Sequence, residues 1–233
     1  MNGHYAIAID GPSGAGKSTL ARRCASAFGF LYVDTGAIYR TVGLAAWREN
    51  IDRKDSPAVE ALLPSLDIQM GYNASGEQRM YLNGEDVSVE IRLPEISICA
   101  SDVSSFPAVR SYLLEMQRKM AREHNVIMDG RDIGTVVLPD AELKIFLTAS
   151  AEARAERRMK ELIAKGVDSR FEEVLRDIQY RDRQDSERAA APLRPAEDAV
   201  YVDTTEIGFD ESFLVLRQII SEKLGLTPVE AVK

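Results

Sequence analysis

Short apolar runs alternate along the chain with longer segments in which apolar residues recur at helical spacing. The apolar runs cover residues 5–10, 30–33, 125–128, 144–147 and 200–202. Continuous runs of this length are typical of strands buried on both faces of a parallel sheet, and apolar residues spaced three or four apart predict amphipathic helices. The alternation is compatible with right-handed crossover connections. We therefore expect an α/β fold with a five-stranded parallel sheet between two layers of helices.

Capping residues mark where the predicted helices begin and end. Pro107 is a favoured first helical residue, Ser150 is an expected N-cap, and Gly166 is a natural stop. The predicted helices cover residues 18–28, 37–50, 94–103, 150–165 and 210–224, with further helices beginning at residues 107 and 171 and a short one within residues 52–64.

The apolar periodicity changes from helical to alternating between residues 64 and 92. Apolar and polar residues alternate over 66–72, 80–82 and 87–91, and Asn83-Gly84 is a strong hairpin signal. We predict a three-stranded antiparallel meander inserted into the βα chain. It is either a structural embellishment or a mobile clamp on a substrate.

Composition and charge narrow the class of protein. The chain has 233 residues, of which 45% are hydrophobic and 28% charged, and its net charge is −8. A negative chain is not attracted as a whole to nucleic acid or anionic membrane, so we expect neither as a partner. Cys24 and Cys99 lie on predicted helices and read as buried thiols, and the two histidines are too far apart for a metal cluster. With no signal peptide or membrane-length apolar run visible, we expect a cytoplasmic protein.

A glycine-rich segment between the first predicted strand and helix fits the phosphate-binding pattern G-x-x-x-x-G-K-[ST] without a mismatch. Glycines let successive backbone N–H groups converge on a phosphate, and the helix N-terminus adds partial positive charge. Lys17 can reach the β- and γ-phosphates of a nucleotide, and the Ser18 hydroxyl can ligate Mg²⁺. The nucleotide-binding residues expected here are Gly11, Pro12, Ser13, Gly14, Ala15, Gly16, Lys17, Ser18 and Thr19.

Polar residues follow two other predicted strands. Ligands of open parallel sheets bind at the carboxyl ends of the strands. We therefore expect Asp34, Thr35 and Arg40 to face the same crevice as the phosphate loop, although on its position alone Arg40 fits a solvated helix arginine better. Asp129 directly follows the run at residues 125–128, at a position where phosphate-loop proteins place a second group for Mg²⁺ or its waters.

Arginines concentrate in the two helices that follow the fourth predicted strand. The first contains Arg154, Arg157 and Arg158. In the second, Arg181, Asp185 and Arg188 are spaced to share one helix face. Most of these residues fit a solvated, salt-bridged surface, but a polyphosphate substrate explains their concentration in an acidic chain better.

A phosphate loop indicates a nucleotide but not a reaction. The D-x-x-G and N-K-x-D patterns of GTPase switches are missing from the sequence, and large motor or helicase ATPases need a longer chain. A small kinase needs the loop, a second crevice for an acceptor, and cations around the transferred phosphoryl group. The sequence indicates all three.

Four segments together resemble bacterial cytidylate kinases. They are residues 11–19, the run Asp34-Thr-Gly-Ala-Ile-Tyr-Arg40, Gly130-Arg-Asp132, and residues 181–188 followed by Ala-Ala-Ala-Pro192. The resemblance covers essentially the whole chain, including the meander. It implies a phosphate-loop kinase that transfers the γ-phosphoryl group of ATP to CMP or dCMP with Mg²⁺. We expect a single domain of residues 1–233 that is a monomer and whose partners are these small molecules. The division that it implies is a core of residues 1–63, 93–150 and 170–233, an acceptor-binding meander of 64–92, and a lid of 151–169.

The resemblance also implies roles for individual residues. Lys17 would orient the donor, Ser18 would hold Mg²⁺, and Asp129 and Asp34 would support the metal or the acceptor. Arg157 and Arg158 belong to the lid and would contact ATP. The acceptor residues fall into groups for the phosphate (Arg40, Arg131, Arg188), the base (Ser101, Arg110, Asp132) and the sugar (Arg181, Asp185), with Thr35 also near the acceptor. Lys17, Arg131, Arg188 and Asp129 are the expected catalytic residues.

Two alternatives remain, one within the class of phosphate-loop kinases and one outside it. Kinases of shikimate, dephospho-coenzyme A or thymidylate lack the meander at this position or the pair formed by Asp132 and Arg110. A regulatory module that binds a nucleotide without transferring phosphate needs no second anion site, so the arginines at 40, 131, 181 and 188 argue against it.

Overall fold

The computed structural model describes residues 4–164 and 166–229. It divides into two compact units, the first made of residues up to 32 together with those from 124 onward, and the second made of residues 33–123. Among the described residues, no helix combines the length and the apolar character that a membrane span requires.

The first unit is built on a parallel sheet. Its strands are β1 (Ala6–Asp10), β2 (Leu31–Asp34, of which Leu31 and Tyr32 belong to this unit), β6 (Val126–Gly130), β7 (Leu143–Thr148) and β8 (Val200–Asp203). Their order is β2-β6-β1-β7-β8, and β1 pairs in parallel with both β6 and β7. The predicted α/β fold with a five-stranded sheet is confirmed.

Helices α1 (Lys17–Phe28) and α8 (Phe209–Leu224) cover one face of this sheet. Ile7 and Ile9 of β1 share a buried cluster with Leu20 of α1 and Leu216 of α8. Because neighbouring residues of a strand point to opposite faces, Ala8 and Asp10 point away from this cluster. Asp10 is therefore a buried carboxylate on the other face of the sheet.

The segment after β6 contains one turn of π-helix, Ile133–Val137, which the apolar pattern did not predict. Further along, α6 (Ala151–Ala164) and α7 (Phe171–Glu187) pack on each other through Ala155, Val174 and Ile178. The Ser150 hydroxyl accepts a hydrogen bond from the Ala153 N–H at 3.1 Å, so the predicted cap is confirmed. The predicted end of α6 at Lys165 lies outside the described residues.

The expectation that Arg188 shares a helix face with Arg181 and Asp185 is wrong. Helix α7 ends at Glu187, and Arg188 has an extended backbone with φ −61° and ψ 138°. Its guanidinium donates to the Ala191 carbonyl at 2.6 Å. Arg188 is therefore placed by the chain that leaves the helix and not by helical periodicity.

The second unit contains the helices α2 (Thr35–Arg48), α3 (Ser56–Leu62), α4 (Pro94–Val103) and α5 (Pro107–Glu123), and 3₁₀ turns at Leu63–Ser65 and Glu90–Arg92. It also contains an antiparallel sheet of β3 (Ile68–Tyr72), β4 (Gln78–Leu82) and β5 (Glu85–Asp86). The inserted meander and its Asn83-Gly84 hairpin are confirmed.

The predicted third strand over residues 87–91 is wrong. Strand β5 is only two residues long, and the chain then turns into the 3₁₀ segment. Val87 and Ile91 are each 1% exposed, whereas Val89 between them is 79% exposed. Burial of two residues four positions apart is typical of a helical turn, although apolar and polar residues alternate here as they would in a strand.

Candidate active site

The phosphate loop joins β1 to α1 in the first unit. Gly11, Gly14 and Gly16 have φ of 151°, 76° and 85°, which side-chain-bearing residues rarely adopt. The Lys17 ammonium folds back over the loop and donates to the Pro12 carbonyl at 2.8 Å. Ser18 and Thr19 lie at the start of the helix. The loop is thus shaped to present N–H groups and one ammonium to an anion.

The electrostatic surroundings of Lys17 fit that purpose. Burial and the charge of Arg131 lower the pKa of Lys17, while Asp129, Asp185 and Asp10 act in the opposite direction. An anion bound beside the ammonium would oppose the first two effects. The lysine is therefore partly uncompensated in the protein alone and stabilised by an anionic ligand.

Asp129 is the last residue but one of β6, and its carboxylate accepts hydrogen bonds from two hydroxyl groups. Ser18 Oγ donates to its Oδ2 and Tyr32 Oη to its Oδ1, both at 2.8 Å. The side chain lies on the α1 face of the sheet, because Ile127, two residues earlier in the strand, belongs to the buried cluster that contains Leu20 of α1. A hydroxyl and a carboxylate oxygen in contact form a hard-oxygen pair of the kind Mg²⁺ prefers.

The described residues contain no group of three His, Cys, Asp or Glu side chains arranged for a metal. Mg²⁺ usually takes one or two protein oxygens and completes its shell with water and phosphate oxygens. Ser18 and Asp129 therefore fit a magnesium ion that arrives with a nucleotide, and they do not form a permanent all-protein site.

Two ion pairs lie directly after Asp129. Arg131 Nε donates to Asp185 Oδ2 at 2.6 Å, and Arg188 pairs with Asp132 at 3.3 Å. Although burial acts against it, the Asp185 carboxylate raises the pKa of Arg131. Asp132 and the Arg188 side chain are almost fully buried. Residues 185–188 thus bring a carboxylate and a guanidinium to the Arg131-Asp132 segment.

Arg181 adds a positive charge to this region. Burial lowers the pKa of Arg181, and the charges of Arg158 and Arg131 lower it further, while Asp177 and Asp185 act against them. Arginines that repel one another inside a protein are stabilised by a polyanion. Arg181 therefore lies within electrostatic reach of two other predicted residues, Arg131 and Asp185.

Arg154 has a more specific place than its predicted position in the lid implied. Its guanidinium donates to the carbonyls of Ser13 and Ala149, each at 2.9 Å, and forms a two-pronged ion pair with Asp182 at 3.0 and 2.6 Å. A 4% exposed arginine with these partners holds the phosphate loop against α6 and α7.

The predicted lid residues Arg157 and Arg158 differ in their surroundings. Arg157 donates to the hydroxyl and the carbonyl of Thr204 and to the Ile207 carbonyl, all in the loop after β8. Arg158 is more exposed and pairs with Glu161 at 3.0 Å, one turn further along its own helix. Arg157 is thus held by its neighbours, whereas the ion pair of Arg158 lies at the surface.

In the second unit, Asp34 is the centre of a charged cluster. Its Oδ1 caps α2 by accepting from the Ala37 N–H at 2.9 Å, and its Oδ2 pairs with Arg40 at 2.9 Å and Arg92 at 3.1 Å. Burial opposes ionisation, but Arg40 and Arg92 hold the pKa of Asp34 below its ordinary value. Thr35, the first helical residue, is buried beside it.

Arg40 keeps one unused donor. Its Nε is buried and has no hydrogen-bond partner among the described residues. A buried guanidinium N–H without an acceptor is costly, so an acceptor from a ligand would stabilise it. Among the predicted residues, this is one whose own geometry calls for an anion.

Arg110 and Ser101 lie on neighbouring helices of the second unit. The Arg110 guanidinium lies 5.3 Å from the centre of the Tyr39 ring and donates to the Ser104 carbonyl at 3.1 Å. The Ser101 carbonyl accepts from the Ser104 hydroxyl at 2.8 Å. The structure thus links the two predicted base-contacting residues through Ser104.

Several polar residues of these clusters were not predicted from the sequence. They are Asp10, Tyr32, Gln78, Arg92 and Asp182. Gln78 of β4 bonds both backbone groups of Asp34, accepting from its N–H at 2.7 Å and donating to its carbonyl at 3.2 Å. Of these, only Asp10 could have been found from the sequence, because a charged residue at the end of an otherwise apolar strand, directly before a phosphate loop, is unusual. The others became recognisable once the chain was folded.

The chain is similar to proteins of one family over nearly its whole length. Residues 7–222 match the family model described as "Cytidylate kinase". The chain is 50% identical over 214 residues to a cytidylate kinase of Caldicellulosiruptor bescii, covering 92% of this chain and 93% of that one. It is 49% identical to a cytidylate kinase of Carboxydothermus hydrogenoformans, over 93% of this chain and 97% of that one.

Among solved structures, the chain is similar to an uncharacterized protein from Eubacterium ventriosum. The TM-score is 0.52 with 12% identity, over 94% of this chain and 99% of that one. A likeness at this identity concerns the fold alone.

Proposed function

The chain belongs to the cytidylate kinase family, and on that premise we propose that it transfers the γ-phosphoryl group of ATP to CMP or dCMP, giving ADP and CDP or dCDP. The observation that carries the proposal is the Arg131-Asp132 segment. Each of its two charged residues is paired, with Asp185 and Arg188 respectively, and Arg131 influences the pKa of the phosphate-loop lysine. A pure nucleotide-binding module has no use for this second charged cluster.

The donor side rests on the phosphate loop. Lys17 and the N–H groups of the loop bind and orient the triphosphate, and Arg157 and Arg158 are assigned to the same nucleotide. Ser18 and Asp129 would hold Mg²⁺ through their oxygens. When bound, the ion neutralises charge on the β- and γ-phosphates. Arg131 and Arg188 supply positive charge for the transferred phosphoryl group. Thr19, next to Ser18, is assigned to the nucleotide-binding loop.

The acceptor phosphate is assigned to Arg40, Arg131 and Arg188. Guanidinium groups suit this task because they form paired hydrogen bonds to phosphate oxygens. The orphaned Nε of Arg40 supports the assignment. No strong general base is needed, because the attacking oxygen belongs to a phosphate that is already anionic.

The base is assigned to Asp132, Ser101 and Arg110. Cytosine presents an N4 amino donor beside the N3 and O2 acceptors, so a carboxylate can accept from N4 while an arginine or a hydroxyl donates to N3 or O2. Uracil presents an acceptor at position 4, which would face the carboxylate of Asp132 and lower the affinity. Arg181 and Asp185 are assigned to the sugar hydroxyl, and Asp34 and Thr35 to the acceptor side.

An acceptor panel tests the proposal. ADP formation is measured in a coupled assay with CMP, dCMP, UMP, AMP and dTMP at fixed ATP and Mg²⁺. We expect CMP and dCMP to have the highest kcat/KM. Equal or faster turnover with AMP would refute the cytosine assignment, and saturable ATP binding without acceptor-dependent turnover would favour a regulatory module.

A single substitution tests the base contact. Asp132→Asn removes the negative charge of the side chain and exchanges one of its two acceptor oxygens for an N–H donor. We expect kcat/KM for CMP to fall by about tenfold or more and kcat/KM for UMP to change much less. Equal losses for both nucleotides would contradict the assignment of Asp132 to the base.

A further inference from the structure

Asp10 is a buried carboxylate to which the reaction described above assigns no role. It is the last residue of β1 and is 4% exposed. Its Oδ1 accepts from the Ile133 N–H at 2.8 Å and its Oδ2 from the Gly134 N–H at 2.7 Å. Both oxygens thus bind the backbone of a segment that lies 123 and 124 residues further along the chain.

The partners of Asp10 begin the π-helical turn Ile133–Val137. The first N–H groups of any helical turn have no acceptor within the turn and need one from elsewhere. The residue that precedes such a turn commonly supplies it, and aspartate is among the best. Here that residue is Asp132, yet its side chain makes no capping bond among the described residues.

Asp132 uses its carboxylate differently. Its Oδ1 pairs with Arg188 at 3.3 Å, and its backbone has φ −147° and ψ 26°. Asp10 performs the capping task from a different strand, so the Asp132 side chain is not needed for it. Without Asp10, the two orphaned N–H groups would compete for the carboxylate of Asp132.

We propose that Asp10 is a positioning residue for acceptor selection: by capping the turn after β6 through Ile133 and Gly134, it directs the Asp132 carboxylate away from the backbone and towards the base of the acceptor nucleotide. The proposal rests on the function proposed above for Asp132. It adds a residue that touches no substrate and acts on specificity through another.

Gly134 packs closely against the side chains of Asp10 and Lys144. A Cβ built on Gly134 would lie 3.1 Å from the Lys144 Cδ and 3.4 Å from Asp10 Oδ2. An amide in place of the Asp10 carboxylate is enough to disturb the contact, because asparagine keeps one acceptor oxygen and turns an N–H donor towards a backbone N–H. Asp10→Asn is therefore a shape-preserving substitution that removes one of two bonds and adds a repulsion.

The test is the selectivity of Asp10→Asn, measured as kcat and KM for CMP and UMP together with KM for ATP. We expect kcat/KM for CMP to fall about tenfold, the ratio of CMP to UMP to fall at least about threefold, and KM for ATP to stay within about twofold. Loss of folded protein alone cannot change the ratio, because both acceptors meet the same folded fraction. An unchanged ratio overturns the proposal.

The matched control is Asp55→Asn. Asp55 also accepts a backbone N–H, that of Ala58 at 3.1 Å, but it is exposed and caps α3. Asparagine is as good an N-cap, so all kinetic parameters should equal those of the wild type. If Asp10→Asn does not fold, Gly134→Ala disturbs the same contact from the other side, and an unchanged ratio in that variant overturns the proposal.

Amide hydrogen exchange separates this proposal from the function on which it rests. The Ile133 and Gly134 amides should exchange at least about tenfold faster in Asp10→Asn than in the wild type, whether or not CMP is the acceptor. Faster exchange without CMP turnover by the wild type would overturn the proposed function but support the capping role. Unchanged exchange would overturn the capping role, even if the wild type phosphorylates CMP.

Discussion

The substitution Gly11→Ala tests the point where the phosphate loop leaves the sheet. Gly11 has φ 151°, a backbone conformation that is essentially restricted to glycine. A Cβ at this position would lie 1.9 Å from the Leu147 carbonyl oxygen and 3.0 Å from its carbon. Leu147 is in β7, paired with Val202 of β8, so its carbonyl is held by the sheet.

The structure gives the size of the effect. Real Cβ contacts are essentially never shorter than 3.0 Å, so the loop and β7 must separate by at least 3.0 − 1.9 = 1.1 Å. The backbone strain costs about 1–3 kcal/mol and the steric overlap about another 1–3 kcal/mol. We therefore expect the free energy of unfolding to fall by about 2–6 kcal/mol, a large part of the stability of a typical domain.

The measurement is urea unfolding of the wild type, Gly11→Ala and Gly76→Ala. Gly76 has φ 75° and nothing within 4 Å of an added Cβ, so its substitution costs only the left-handed backbone, about 1–2 kcal/mol. ATP affinity is measured below the unfolding transition and should fall at least about tenfold in Gly11→Ala only, because the displaced loop no longer aims its N–H groups at the phosphates.

Two results would refute this reasoning. If Gly11→Ala were no less stable than Gly76→Ala, the close approach between the loop and β7 would be wrong. If the variant were destabilised but bound ATP as the wild type does, the loop geometry would not be what binds the triphosphate.

Three further predictions concern buried charges. Asp182→Asn leaves the buried Arg154 guanidinium without its charged partner and should lower the free energy of unfolding by about 2–4 kcal/mol in urea titrations. Asp34→Asn removes the charged partner of Arg40 and Arg92 and should lower the free energy of unfolding at neutral pH. Because the folded-state pKa of Asp34 is lowered, its contribution disappears on protonation, and the difference from the wild type should shrink as the pH falls below about 4. Asp10 behaves oppositely: burial raises its pKa from 3.8 to about 6, so the wild type should lose up to about 3 kcal/mol relative to Asp10→Asn as the pH rises from about 4 to about 7.5.

Each of these predictions has a control or a contradicting result. Glu161→Gln breaks the exposed pair with Arg158 and should change stability by less than about 1 kcal/mol, and an equal loss in Asp182→Asn would contradict the buried role of that pair. For Asp10, the neighbouring Asp132 also raises the pKa and Lys17 lowers it. Parallel pH profiles of the Asp10 and Asp34 differences would contradict the opposite pKa shifts.

Local signals in the sequence were enough for most of the secondary structure. The five apolar runs became the five strands, and the phosphate loop lies between β1 and α1 as its pattern required. The cap at Ser150 and the hairpin at Asn83-Gly84 are also present. These features depend on residues within a few positions of one another, so they can be predicted from short stretches of sequence.

Alternation failed as a signal in residues 87–91. Val87, Val89 and Ile91 place an apolar residue at every second position, as a strand would. A helical turn gives the same pattern when its first and last residues are buried and an apolar residue between them is exposed, as Val89 is here. Only the contacts of the folded chain distinguish these cases, because each apolar residue is equally hydrophobic in a strand and in a turn.

By itself, the sequence determined the class of fold, the nucleotide-binding loop and the family, since all of these follow from short patterns read in order. The tertiary structure alone decided which charges meet: Asp185 with Arg131, Arg188 with Asp132, Arg92 with Asp34, and Asp10 with the turn after β6. The physical reason is that hydrogen bonds and ion pairs act over a few ångströms, whereas the partners in all of these pairs are more than fifty residues apart in the chain.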